Sequence, residues 1–374
     1  MKTESHRPKL PSISELLQHP SVQNVVARVN QSTVAQRATG FLAELQASLR
    51  DKAEHGVVPS LGQLAERLAE RLLGQPVHAI PTINATGEIL SARWQTPLAD
   101  AAQQELLRLV GEFQATSGGE QKQACALLCE LTGAESAWVV SSYRAASQLA
   151  SACPEWNTDF AEVAGLIDPA ELGTSGFGSS QRGLLPVRTI SARVESGAEL
   201  VVLDGAGLLG GPSCGILVGR RAAVERLQQH AWADLAAAGK MQLLVLVSTL
   251  TAYREPERVI HQIPVWQLLS APQDNLRQRC ERLAPLIAES DAIAAAVATS
   301  CESSWYVTDQ MQLAGPTWAI QVLPAEQAAE ELALKLQKSS PQVAARVEPD
   351  AVWLDFRSVF PRWDQQLVEV FQTG

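Results

Sequence analysis

Apolar positions along the chain follow two rhythms. In the first seventy residues the rhythm is helical. Leu61, Leu64, Leu68 and Leu72 recur at spacings of three and four, which stacks them on one face of a helix, and Gly74 with Pro76 beyond it ends the run. Ser12-Ile13-Ser14-Glu15 and Ser60-Leu61-Gly62-Gln63 each fit a capping box, in which side chains three apart satisfy each other's exposed amides. Residues 1–75 are therefore expected to form a small helical module, followed by a proline-bounded linker over 75–81.

From Ile83 onward the rhythm changes, and short apolar runs alternate with helical patterns. This alternation predicts a layered α/β domain with a largely parallel sheet. Strands are expected over 137–140, 200–203 and 215–218, and helices over 97–113, 120–131 and 220–230. The run 243–247 is apolar on every side. Beyond Thr317 the pattern gives a strand at 318–323, a helix at 325–337, a hairpin of 343–346 with 352–356 around Pro349-Asp350, and a last helix. That order suits a compact two-layer α+β domain. The expected divisions are 1–75, 82–270 and 271–374.

Composition narrows the function. A chain of 374 residues with 46% hydrophobic side chains can bury a large core and one or two small ones. Thirty basic against forty acidic residues leave a net charge of -10, which excludes a broad grip on DNA, since such binding needs clustered Lys and Arg. No apolar stretch is long enough for a membrane span, and none follows the charged start, so a cytoplasmic location is expected. The six cysteines suit reduced thiols in a chain of this size. Cys125 and Cys129 lie four apart on one helix face; without a nearby histidine or second pair they read as small buried hydrophobes rather than metal ligands, and no metal site is expected. The Gly/Ser-rich run 173–180 is either a surface connection or an anion-cradling turn, with no Walker lysine to make it a nucleotide site.

Several separated segments carry a resemblance. Leu10-Pro11-Ser12-Ile13-Ser14-Glu15-Leu16-Leu17, Ile83-Asn84-Ala85-Thr86-Gly87 and Leu131-Thr132-Gly133-Ala134-Glu135 occur in that order. Leu208-Leu209-Gly210-Gly211-Pro212 leads into Gly215-Ile216-Leu217-Val218-Gly219-Arg220, and Val352-Trp353-Leu354-Asp355-Phe356-Arg357 closes the series. Together they resemble the bacterial selenocysteine synthases, the L-seryl-tRNA(Sec) selenium transferases. The resemblance implies a type I pyridoxal-phosphate-dependent transferase fold, here shortened, with an N-terminal helical module used to grip tRNA and a small α+β C-terminal domain. It implies a reaction that converts seryl-tRNA(Sec) to selenocysteinyl-tRNA(Sec) with selenophosphate. Such chemistry takes a Schiff-base lysine, a carboxylate on the pyridinium nitrogen, amides on the cofactor phosphate and arginines on the selenophosphate.

Carried over residue by residue, these parts are missing or altered. The family's Schiff-base lysine immediately precedes Leu-Leu-Gly-Gly-Pro, and here that position is Gly207. Lys240 matches a lysine the family has in addition to the catalytic one. The anion-binding arginines become Asp234, Ala237 and Gln95. The phosphate turn reads Ser141-Ser142-Tyr143-Arg144; Ser141 and Ser142 either donate to an anion or simply cap a helix. Glu171, with Asp168 as its competitor, takes the place of the pyridinium partner. Between Ala150 and Val163 only about a dozen residues stand where the family has several strands and helices. Something must cover the sheet so exposed; Trp94, Trp138, Trp156 and Trp232 flank the region as core packing or as a partner interface.

These losses lead to the expectation of a non-catalytic relative that binds no cofactor and keeps its scaffold for assembly or regulation, as a homo-oligomer or with a partner protein. Two alternatives stand beside it: residual transfer in selenocysteinyl-tRNA(Sec) synthesis, and a tRNA-binding module without chemistry. Only a modest basic set in residues 1–75, interleaved with acids, supports the second of these.

Overall fold

The computed structural model describes residues 11–26, 34–35, 37–42, 61–73, 81–91, 93–111, 119–161, 164–166, 189–307 and 312–372. They fall into two compact units, Met1–Ile80 and Pro81–Gly374. In the first, α1 (Ile13–Gln18), α2 (Pro20–Val26) and α3 (Leu61–Leu73) form, with helical residues 37–42, a core around Leu16, Val22, Leu64 and Leu68. The capping box at Ser12 is present: its hydroxyl accepts from the Glu15 amide at 3.2 Å, and the Glu15 carboxylate accepts from the Ser12 amide at 2.7 Å. Ser60, expected to open the second box, lies outside the described residues.

The second unit holds two sheets. One has the order β3-β6-β5-β4, from β3 (Ser136–Val140), β4 (Thr158–Phe160), β5 (Leu200–Asp204) and β6 (Gly215–Gly219). β3, β4 and β5 run the same way, but β6 is antiparallel to both of its neighbours, so only the β4–β5 pairing is parallel. The expectation of a largely parallel sheet thus holds for strand direction and fails for two of the three pairings. An apolar run carries no mark of its direction, which is why the sequence could not show it.

β3, β5 and β6 are buried on both faces, and alternate residues enter different cores, whereas β4 at the edge is partly exposed. Val139, Val201, Leu203, Ile216 and Val218 meet α5 (Gly119–Thr132) and α9 (Lys240–Ala252); Trp138, Val140, Leu200, Val202 and Leu217 meet α6 (Tyr143–Ser151) and α8 (Arg221–Gln228). Helix α9, apolar on every side, packs on α4 (Asp100–Gly111) and α5 and supplies the cover that the sheet requires. Trp138 is core, Trp94 and Trp156 are half-buried, and Trp232 is exposed.

The other sheet has the order β1-β9-β10-β8-β7-β2. It comprises β1 (Thr82–Ala85), β2 (Leu90–Ser91), β7 (Ile293–Val307), β8 (Gln312–Pro324), β9 (Gln342–Glu348) and β10 (Ala351–Asp355). Helices α12 (Gln273–Ala288), α13 (Ala329–Lys338) and α14 (Asp364–Gln372) cover one face. The hairpin around Pro349-Asp350 is there, with Ala351 opposite Glu348. β1, which carries the Ile83-to-Gly87 motif, pairs in parallel with β9 in this sheet rather than with the four strands of the other. The remaining described helices, α7 (Ile190–Glu195), α10 (Pro256–Gln262) and α11 (Pro264–Leu269), pack toward the four-stranded sheet. No helix among the described residues is long and apolar enough to cross a membrane.

Candidate active site around Gly207

Gly215 of β6 stands opposite Val140 of β3 on one side and Asp204 of β5 on the other. The ends of β3 and β5 therefore lie at one end of the sheet, two strand spacings or about 10 Å apart. The Ser141-Ser142 turn leaves from the first and the Gly207 turn from the second. An isolated bridge between Val140 and Ala237 brings residues 231–239 to the same place. The carboxyl end of the strands is where open α/β sheets bind ligands. The Ser141-Ser142 turn, the Gly207 turn and the 231–239 segment thus share one end of the sheet.

The frame of the Gly207 turn is rigid. The Gly210 amide donates to Gly207 O at 3.0 Å, and the Gly211 amide to Gly205 O at 2.8 Å. Gly210 has φ +66, and a Cβ there would lie 2.5 Å from Ile263 Cγ2, so glycine is required. Tyr253, buried at the end of α9, reaches Leu208 O and Leu209 O through its hydroxyl at 3.1 and 2.9 Å and accepts from Trp266 Nε1 at 2.9 Å. Gln242 accepts from the Gly239 amide and donates to Ser141 O and Ser213 O at 2.9 and 2.7 Å, tying the helix start, the β3 exit and the β6 entry together. Neither Tyr253 nor Gln242 stood out in the sequence. A glutamine three residues after Gly239 is a capping-box spacing, the one signal that pointed to it.

Gly207 itself is unconstrained. Its φ is not positive, and a Cβ there would meet only Asp204 O, at 3.7 Å. The backbone accommodates a Cβ at this position without a clash. Asp204, three residues before, is held above the ordinary carboxylate range by burial, against the lowering effect of the Ala206 and Cys214 backbone bonds.

The groups around the turn are committed to each other. Ser142 is the N-cap of α6, its hydroxyl accepting from the Ala145 amide at 3.1 Å, while the Ser141 amide donates to Ala236 O at 2.7 Å. Lys240 Nζ sits 3.3 Å from Glu120 Oε1. Asp159 on β4 is gripped through both oxygens by Arg193 at 2.7 Å. Asp234, Ala237 and Gln95 are exposed and bring no cation to the turn. Glu171 and Asp168 lie outside the described residues. Position 207 offers no amine, and the Ser142 hydroxyl is engaged as the cap of α6. Among the described residues no group of three or more His, Cys, Asp or Glu is placed to hold a metal. Cys125 and Cys129 are half-buried against the core, and burial raises the Cys125 thiol to about 11.

A family model described as L-seryl-tRNA selenium transferase (SelA) matches residues 159–360, more than half of the chain. The chain belongs to the L-seryl-tRNA selenium transferase family. Relatives of that description from Moorella thermoacetica and Serratia proteamaculans are each 26% identical, covering 96% of this chain and 95% and 97% of their own. The Moorella alignment runs over 450 positions against a chain of 374 residues, so at least 76 positions have no counterpart here. A solved D-glucosaminate-6-phosphate ammonia-lyase shares the fold, with a TM-score of 0.50 at 15% identity, covering 80% of this chain and 96% of that one. The large domain of this selenium transferase family member has the α/β fold of the type I pyridoxal-phosphate-dependent transferases, with smaller domains beside it.

Proposed function

We propose that this chain is a non-catalytic member of the L-seryl-tRNA selenium transferase family that binds no pyridoxal phosphate and acts as a scaffold or regulator by associating with lysine-bearing copies of the fold. The observation that carries this reading is Gly207: the turn around it is hydrogen-bonded and would admit a Cβ, yet the position offers no amine. Lys240, the nearest lysine along the described chain, is held by Glu120 at the start of another helix. Loss of the anion-binding arginines supports the same reading, because Asp234 repels a selenophosphate and Ala237 has no side-chain donor.

The test is an assay of selenocysteinyl-tRNA(Sec) formation from seryl-tRNA(Sec) and selenophosphate. The chain alone is expected to form no product, and added to a lysine-bearing member of the family it is expected to co-elute with that protein and change its rate. Product formed by the chain alone overturns the reading. So does the absence of any association with the working enzyme.

A further inference from the structure

A cleft of about 780 Å³ opens between α10, α11, the first turns of α12 and the segment 356–361 that follows β10. Three arginines and a histidine line it (Arg279, Arg282, Arg357 and His261), and no carboxylate does. In a chain with a net charge of -10, that concentration of positive charge is local.

Arg279 and Arg282 lie three apart on α12 and share a face. Both hold Asp364 of α14: Arg279 donates through Nε at 3.2 Å and Nη2 at 2.6 Å, and Arg282 through Nη2 at 2.7 Å. Arg279 Nη2 also donates to Val359 O at 2.9 Å, and its guanidinium lies 5.0 Å over the Phe356 ring. One carboxylate therefore orients two guanidinium groups and neutralises only one of them. Nη1 of Arg279, and Nε and Nη1 of Arg282, make no hydrogen bond among the described residues. Arg357 adds a third charge, fixed by the carbonyls of Ala271 and Pro316 at 2.7 Å each. The rest of the wall is mainly apolar, with Ile260, Pro272 and Pro361 among its residues, and carries the neutral polar side chains of Gln267, Ser270, Asn275 and Gln278. A concave, mostly apolar cavity of this size with a few oriented polar groups has the form of a small-molecule site.

We propose that this cleft binds a small organic oxyanion: an apolar or aromatic body bearing a carboxylate or phosphate, its head group on the spare donors of Arg279 and Arg282 and its body against the accessible apolar lining of Ile260, Pro272 and Pro361. Guanidinium groups fixed in advance suit either head group, because their paired N–H donors match two oxygens of one anion. The site is separate from the Gly207 turn and does not rest on the functional reading above.

Isothermal titration calorimetry of the full chain with benzoate and with phenyl phosphate tests it. At least one is expected to saturate at one site per chain, and more tightly than inorganic phosphate, which lacks the apolar body. The tighter of the two identifies the head group. Arg282→Gln is expected to weaken binding about tenfold or more with little change in melting temperature, since this side chain is 63% exposed and Arg279 still holds Asp364. Gln278→Glu, which puts a carboxylate on the wall, is expected to weaken it as well. Absence of a saturable heat with both ligands, or unchanged affinity in both variants, overturns the proposal.

Discussion

At position 207 the backbone has room for a Cβ, whereas three residues later it has none. Gly207→Ala is therefore expected to change stability by no more than about 0.5 kcal/mol. Gly210→Ala, with φ +66 and a Cβ driven into Ile263, is expected to cost about 1–3 kcal/mol. Urea unfolding of the two variants checks the contrast. Gly207→Lys is expected to fold as the parent does and still form no selenocysteinyl-tRNA(Sec), because Asp234, Ala237 and Gln95 remain where the resemblance implies arginines; an active Gly207→Lys variant contradicts this. The turn at 207 was legible in the sequence because an ordered motif, Leu208 to Pro212, marks its place. Tyr253 and Gln242 were not legible, since each acts through backbone atoms that are distant in sequence and that no local pattern marks.

Among the elements, α9 carries the turn on the Tyr253 hydroxyl. Tyr253→Phe leaves Trp266 Nε1 buried without its acceptor and is expected to cost about 1–3 kcal/mol, read as a lowered urea midpoint. β10 carries a second buried group, Asp355, which is fully buried and accepts from Thr317 Oγ1 at 2.8 Å and the Arg357 amide at 2.9 Å. Burial raises its carboxyl above the ordinary range despite those bonds. The unfolded carboxyl then ionises first, so this group lowers stability as pH rises from about 4 toward its raised native value. Asp355→Asn is expected to flatten that fall, seen as a smaller difference between urea midpoints at acidic and neutral pH; an unchanged difference contradicts it. The elements themselves were unevenly legible. β3, β5 and β6 are compact apolar runs, whereas of α9 only the apolar run 243–247 stood out, with no mark of its helical form. β7 was missed because Ile293-Ala294-Ala295-Ala296-Val297-Ala298-Thr299-Ser300 is rich in alanine, a strong helix former, and only its pairing with β8 makes it a strand.

For the molecule as a whole, the family relationship spans nearly the full chain, while at least 76 aligned positions of the Moorella relative are absent from it. The shortening was legible in the sequence: α6 ends at Ser151, and β4 follows at Thr158. Its consequence was not, because only the register shows that β3, β5 and the 231–239 segment still converge on one end of a four-stranded sheet. We read a fold that keeps this convergence and its internal ties, with glycine at position 207, as a scaffold without the family's chemistry. The most direct measurement is to incubate the purified full chain with pyridoxal phosphate, reduce with borohydride and map pyridoxyl-lysine by mass spectrometry. The account predicts no stoichiometric label on any lysine, Lys240 included. One pyridoxyl group per chain on a single lysine, with an accompanying absorbance band before reduction, would contradict it.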